Sequence, residues 1–328
     1  MSVVIAGHGR TEFFEGAVES VRRQTLRAAE RETLVLKDVR NPELDRRLEA
    51  AGATVLQLED GPRGGWLSAA LSNARGELIA FLDDDDEFEP FKLARAVQAF
   101  ENHPSAAYYH NRIRRLDATS TAEPPPDANP PLRAVTSEQA RRSFSRLWRE
   151  GAGFNLSSIV VRRSLIENDP GQLAQVQVSV PAYLFYSALR GPAGLLLDEG
   201  EWTRYRFASP TARGYASPGP RSARRLAEVA REHLLDARIL AAIAESMDLP
   251  EARRPPEAAL AQATLVIALD EGTNGRIERL RALLRLFRLR PWGALAADRA
   301  VPILSVWALL DPCDAHRRWV RLKATDRG

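Results

Sequence analysis

Four consecutive carboxylates, Asp83, Asp84, Asp85 and Asp86, follow the apolar residues Leu78, Ile79, Ala80, Phe81 and Leu82 and stop short of Pro90. This junction constrains the chain more than any other feature. A short apolar run bounded by polar residues reads as a buried strand, and open α/β sheets bind ligands at the carboxyl ends of such strands. Like charges this close repel one another unless a cation or solvent relieves them. Hard oxygen ligands on a short extended segment suit Mg2+ or Mn2+ bridging a diphosphate. The plain alternative is a solvated acidic loop, but such a loop seldom follows directly on five apolar residues.

The flanking pattern predicts more strands in alternation with helices. Residues 2–6 read as a buried strand running into the loop Gly7-His8-Gly9-Arg10, with Thr11 as N-cap of a helix carrying Phe14, Val18 and Val21. Residues 33–36 form a second strand ending at Lys37-Asp38. Residues 54–58 form a third, and a helix over 66–74 leads into the acidic run. Strand and helix in alternation imply a parallel, doubly wound sheet. Further strands are expected at 106–110, 156–161, 195–197 and 203–207, with a proline-rich excursion over 118–131. Composition changes at 210–220, and helical spacing dominates beyond. The expected division is 1–216 and 217–328.

At 328 residues, 45% hydrophobic and 27% charged, the chain can bury a substantial core. A net charge of +3 and a pI near 9.2 do not call for nucleic acid, which would need a concentrated basic face. The single cysteine, Cys313, excludes an intramolecular disulfide and a cysteine zinc cluster, and fits a reducing cytosol. No signal peptide and no membrane span are expected. Residues 276–290 read RIERLRALLRLFRLR, with Ile277, Leu280, Leu284 and Phe287 on one helical face, Leu283 beside them, and six arginines against Glu278 alone. That pattern suits an anionic membrane surface, or a helical bundle packed on the rest of the chain or on a second subunit. Trp292, Trp307 and Trp319 extend it with aromatic edges.

Three segments in order carry a resemblance: SVVIAGHGR at 2–10, ESVRRQT at 19–25, and ARGELIAFLDDDD at 74–86, followed by Pro90, Lys92 and Leu93. Together they resemble the family 2 glycosyltransferases of the GT-A fold, over the first 110 residues and more weakly to about 207. The resemblance implies an α/β, GT-A (Rossmann-like, mostly parallel central sheet flanked by helices) domain with an α-helical C-terminal region. It implies an enzyme that moves a sugar from a UDP- or GDP-sugar to a carbohydrate or lipid-linked acceptor, with inversion. Contacts to the nucleotide sugar would come from Ala6, His8, Arg10, Asp38, Asp83 and Asp84. Asp85, with Asp83, would hold Mn2+ or Mg2+. The expected location is cytoplasmic, peripheral on the inner face of the membrane, with a homo-oligomer as a further expectation.

Some positions depart from the family pattern. Lys37-Asp38 stands where two acidic residues are common, and Lys37 is then a group for a phosphate or base. The family's general base is an aspartate before a helix, and the corresponding residues 178–189 contain no carboxylate. Glu167 or Asp169 from the preceding loop, another group, or loss of turnover are the alternatives, so the catalytic base is unassigned. A non-catalytic nucleotide-sugar-binding or assembly protein of the same fold is the alternative function. His110 reads as a packed histidine before a ligand. Trp148 and the loop 151–155 read equally as an acceptor pocket or as core and turn. Arg206 matches the arginine of the family's YRxH strand end, but the histidine is missing.

Overall fold

Apolar runs lie side by side as four parallel strands: β1 (Ser2–Gly7), β2 (Glu32–Lys37), β3 (Ala53–Gln57) and β4 (Leu78–Asp83) in the order β3-β2-β1-β4. The computed structural model describes residues 1–115, 130–206, 220–271, 276–289, 300–309 and 311–325. Covered on both faces, the inner strands read as continuous apolar runs, with Val3, Val4, Ile5, Val35, Leu36 and Ile79 all buried. The connections are α1 (Phe14–Arg22), α2 (Pro42–Ala50) and α3 (Arg63–Asn73). Asn41 caps α2 and Pro42 occupies its first turn, where a missing N–H costs nothing. Thr11 does not cap α1 as expected. That helix starts later, at Phe14, with Phe13 at the N-cap position and no side-chain cap, so the Thr11 hydroxyl stands ahead of the first turn.

The other half of the sheet is mixed. It comprises β5 (Glu87–Phe88), β6 (Ala106–Arg115), β7 (Leu132–Val135), β8 (Ile159–Arg162) and β9 (Gly194–Tyr205). The helices here are α4 (Lys92–Asn102), α5 (Ser137–Arg142), α6 (Phe144–Arg149), α7 (Arg163–Glu167), α8 (Pro170–Gln175) and α9 (Val180–Arg190). β8 runs antiparallel between β4 and β6, β6 pairs parallel with β9, and β5 and β7 both pair antiparallel with β9. The strand expected over 156–161 starts only at Ile159, after a 3-10 turn at Leu156–Ser158. The two strands expected at 195–197 and 203–207 are one, β9, carried past a register shift against β6 between Asn111 and Ile113.

The chain divides into two compact units, residues 1–176 with 180–207, and residues 177–179 with 208–328. The boundary expected near 216 and most of the segment 118–131 lie outside the described residues. The second unit holds α10 (Pro220–Ser246), α11 (Pro250–Glu271), α12 (Arg276–Arg288), α13 (Ala300–Trp307) and α14 (Pro312–Thr325). Its core contains Leu265, Leu269, Leu283, Leu286, Val301 and Trp319. Trp319, expected at an aromatic edge, is instead buried in that core, and Trp292 lies outside the described residues. Buried Asp236 on α10 accepts the backbone N–H groups of Gln177, Val178 and Ser179 at 2.7, 2.9 and 2.7 Å. Among the described residues no helix is long and apolar enough to cross a membrane.

Candidate active site

The pairing of β1 with β4 sets Ala6 opposite Asp83, so the loop after β1 and the acidic run leave the sheet at the same edge. The Asp84 amide donates to the Ala6 carbonyl at 3.1 Å, and the Asp83 amide donates to the Ser157 hydroxyl at 2.9 Å. Asn155, in the left-handed region at φ 59°, turns the chain so that Ser157 reaches β4, and its own side chain accepts from the Ser157 amide. A turn follows in which the Asp86 amide donates to the Asp83 carbonyl at 3.1 Å.

Each carboxylate of the run has its own environment. Asp84 is buried and receives a two-pronged contact from Arg10, Nε at 2.7 Å and Nη2 at 2.6 Å. Nη2 of Arg10 also lies 3.0 Å from Asp85. Burial pushes Asp84 up to about 6, even with Arg10 pulling the other way. Burial works against the Arg10 charge, and the Asp84 and Asp85 carboxylates more than offset it. Asp83 is raised by burial and by the Asp85 charge, with Arg63 and Arg10 opposing. Asp86 is raised further by burial and by Asp83. Its Oδ1 accepts the Arg206 amide at 3.0 Å, while its Oδ2 is buried without a hydrogen-bond partner. The close approach of β1 to Asp84 requires Gly7. A Cβ there would lie 2.5 Å from the Phe14 ring and 2.6 Å from Cγ of Asp84.

A second cluster forms at the ends of β2 and β3. Asp38 accepts the Gly9 amide at 2.8 Å and contacts Nδ1 of His8 at 3.0 Å, while Nε2 of His8 meets Asp60 at 2.9 Å. The His8 ring stacks on Trp66 with centroids 5.1 Å apart and planes 4° from parallel. A cavity of about 500 Å³ opens beside Asp38, Gln57, Leu58 and Asp60. The Lys37 side chain is fully buried beside this cavity: Nζ donates to the Val39 carbonyl at 2.6 Å and to Gln57 Oε1 at 3.0 Å, both of them lining residues, and pairs with Asp45 at 2.8 Å.

The acidic run connects to a third region through aromatic rings. The Tyr205 hydroxyl is pushed up to about 12 by burial and by the charges of Asp86, Asp83 and Asp85, and its ring meets exposed Phe154 edge-on at 5.9 Å. Phe154 lines a cavity of about 470 Å³ with His110, Arg112, Arg133, Glu150 and Glu199. His110 Nε2 lies 2.9 Å from the Phe154 carbonyl, which can only accept, so Nε2 carries the proton and Nδ1 is bare. Burial, with Lys92 adding to it, holds this imidazole down at about 4 and therefore neutral. Gly151 and Ala152 also line the cavity, whereas Trp148 packs among Phe144, Phe185 and Tyr186.

Neither carboxylate named as a substitute base stands free. Glu167 pairs with Arg163 at 2.6 Å, and Arg163 also donates to the carbonyls of Ala74 and Leu71, before β4 begins. That is the far end of the six-residue strand from Asp83, about 17 Å away along β4. Asp169 caps α8 by accepting from the Gln172 amide at 3.1 Å. Arg206, by contrast, joins the site more closely than its incomplete motif suggested. It donates Nε to the Asp85 carbonyl at 3.0 Å and lies over the Phe13 ring. Ser157 and Trp66 are also structural partners of the site, and no residue pattern in the sequence marked either.

The sequence model of glycosyl transferase family 2 matches residues 2–167, half of the chain. The chain belongs to glycosyl transferase family 2. Among curated relatives it is similar to an uncharacterized glycosyltransferase, alr2836, of Nostoc sp., at 26% identity over 137 residues. It is likewise similar to Protein CgeD of Bacillus subtilis, at 26% over 135 residues. Each match covers 38% of this chain, and 42% and 31% of those proteins, so the chain spans less than half of either relative. Among solved structures, S. aureus TarS 1-349 in complex with UDP-GlcNAc has a TM-score of 0.53 at 13% identity, covering 97% of this chain and 89% of that one. The mannosyltransferase PcManGT of Pyrobaculum calidifontis, in complex with GDP-Man and Mn2+, has a TM-score of 0.53 at 16% identity, covering 100% and 88%. At such identities the likeness carries the fold, which is that of the GT-A glycosyltransferases with a helical C-terminal region.

Proposed function

We propose that this family 2 member transfers a sugar from a nucleotide sugar to a carbohydrate or lipid-linked acceptor, with inversion and with Mn2+ or Mg2+ as cofactor. The observation that carries the reading is the meeting of Asp83, Asp85 and Arg10 at the end of β4, next to strand ends bearing His8 and Asp38. TarS with UDP-GlcNAc and PcManGT with GDP-Man and Mn2+ support it.

Asp83 and Asp85 fit a divalent cation. They are hard oxygen donors one residue apart, the Asp85 charge raises Asp83, and the adjacent Asp86 Oδ2 is orphaned. Among the described residues no three His, Cys, Asp or Glu side chains form a metal cluster, so phosphate oxygens would complete the coordination. A cation bound there offsets the charge that develops on the leaving diphosphate. Asp84 acts one step back, holding Arg10 so that its guanidinium stays beside Asp85. Asp38 supplies a carboxylate acceptor beside its cavity, which suits the ring N–H of uracil or guanine and favours UDP- or GDP-sugars. The cavity at Phe154 and His110 is the acceptor's place in this reading, with bare Nδ1 of His110 as a neutral group for the hydroxyl proton.

The test is hydrolysis of UDP- and GDP-sugars by the purified protein with and without Mn2+. Hydrolysis that needs Mn2+ and falls by at least about a hundredfold in Asp85→Asn, at an unchanged unfolding midpoint, is the expected result. Equal activity of Asp85→Asn contradicts the metal role. A second reading, a nucleotide-sugar-binding protein without turnover, is favoured by one observation. Residues 178–189 carry no carboxylate, and Glu167 and Asp169 are tied to local structure. Donor binding with no hydrolysis and no transfer selects that reading.

A further inference from the structure

Among the described residues ten large apolar side chains are exposed, and seven of them lie on α12 and α13. On α12 they are Ile277 (68% exposed), Leu280, Leu284 and Phe287, spaced three, four and three residues apart, and so on one stripe. This helix has already satisfied its need for a core. Ala282, Leu283 and Leu286 are buried in the helical unit, and with them Arg279, whose Nη2 donates to the Ala268 carbonyl at 3.3 Å. The stripe is therefore a second apolar face, turned outward. On α13, which packs against α12, Ile303 (67% exposed), Val306 and Trp307 add to it. Exposed apolar patches of this kind mark sites of association.

The charges decide what associates. Arg281, Arg285 and Arg288 are exposed, each directly after a stripe residue, and no carboxylate of the described residues pairs with them. Glu278 is the only acidic residue of the helix. A second copy docked face to face would set these arginines against their own counterparts, because an isologous contact joins like to like. An anionic lipid surface removes that repulsion and accepts the apolar stripe between headgroups. Trp307 suits the same boundary. Its ring edge is held by Nε1 donating to Asp314 at 2.9 Å, and Arg318 lies over its face at 4.9 Å.

We propose that the α12–α13 face docks in the plane of an anionic bilayer, with Ile277, Leu280, Leu284 and Phe287 among the acyl chains and Arg281, Arg285 and Arg288 on headgroup phosphates. The face binds without spanning. The docking stands apart from the sugar-transfer reading and fails or holds independently of it.

The test is flotation of the full chain with phosphatidylcholine vesicles, with and without phosphatidylglycerol. Three arginines near the surface amount to about a hundredfold preference for the anionic vesicles at low salt, lost as salt is raised. Leu284→Glu with Phe287→Glu should abolish flotation, and Arg281→Glu with Arg285→Glu should remove the preference for phosphatidylglycerol. All four side chains are exposed, so circular dichroism should be unchanged. A Trp307→Phe variant should lose part of the blue shift in tryptophan emission seen with vesicles. Equal binding to both vesicle types, no binding, or unchanged flotation of the Leu284/Phe287 variant would each overturn the proposal. So would a self-associated species that the Leu284/Phe287 variant dissociates without any vesicle binding by the parent.

Discussion

Arg10 is the residue on which the acidic run depends. Its fork closes on Asp84, which is 2% exposed at the side chain, so removing the arginine leaves a buried carboxylate unpaired. Breaking such a pair costs about 3 kcal/mol or more. Arg10→Met should therefore lower stability by that order in urea unfolding, and Asp84→Asn added to it should recover a large part of the loss. Additive losses in the double variant would show that the two side chains do not depend on one another. His110 gives a residue-scale prediction in pH. In the unfolded chain its imidazole takes up a proton below about 6.5, while burial holds the folded one down at about 4. The folded state accordingly loses stability as pH falls through that window, by up to about 1.4 kcal/mol per unit. His110→Gln has no such imidazole. Its stability should gain on that of the parent by about 2 kcal/mol between roughly pH 7.5 and pH 5. A gap between the two that stays constant would contradict a neutral His110 in the folded state.

At the scale of elements, the legible parts were those where one physical demand acts alone. Parallel strands covered on both faces must be apolar throughout, so β1, β2 and β4 stood out, and the acidic residues after β4 marked the sheet edge of the candidate site. β5 and β7 were not legible, because strands of two and four residues get their shape from pairing with β9 and not from their own pattern. β9 read as two strands because Asp198 and Gly200 interrupt its apolar pattern. Asp198 is buried there by Tyr109 and Arg95, which no local pattern reveals. In the candidate site, the order and spacing of Asp38, Asp83 and Asp85 were legible as strand-end carboxylates, while their partners were not. Ser157, Trp66 and Arg206 reach the carboxylate clusters only through long-range packing. The partners of Lys37 were hidden for the same reason: a lysine at a strand end reads as exposed until Asp45 of α2 and Gln57 of β3 are seen to engage it. On α12 the apolar stripe was read correctly, but its direction was open, since periodicity identifies a face and not what covers it.

At the scale of the whole molecule, a sheet unit bearing the carboxylate site is joined in one chain to a helical unit bearing an exposed apolar and basic face. In the proposed function, the ends of β1, β2 and β4 in the sheet unit bind a nucleotide diphosphate with a divalent cation. Family membership and the GT-A fold agree with it. The deciding measurement is calorimetric titration with UDP and GDP, each with and without Mn2+. One nucleotide should bind, Mn2+ should strengthen its binding, and Asp38→Ala and Asp85→Ala should each weaken it, by loss of a base contact and of the metal contribution respectively. Binding of neither nucleotide, in a protein whose unfolding midpoint shows it to be folded, would contradict the proposed function.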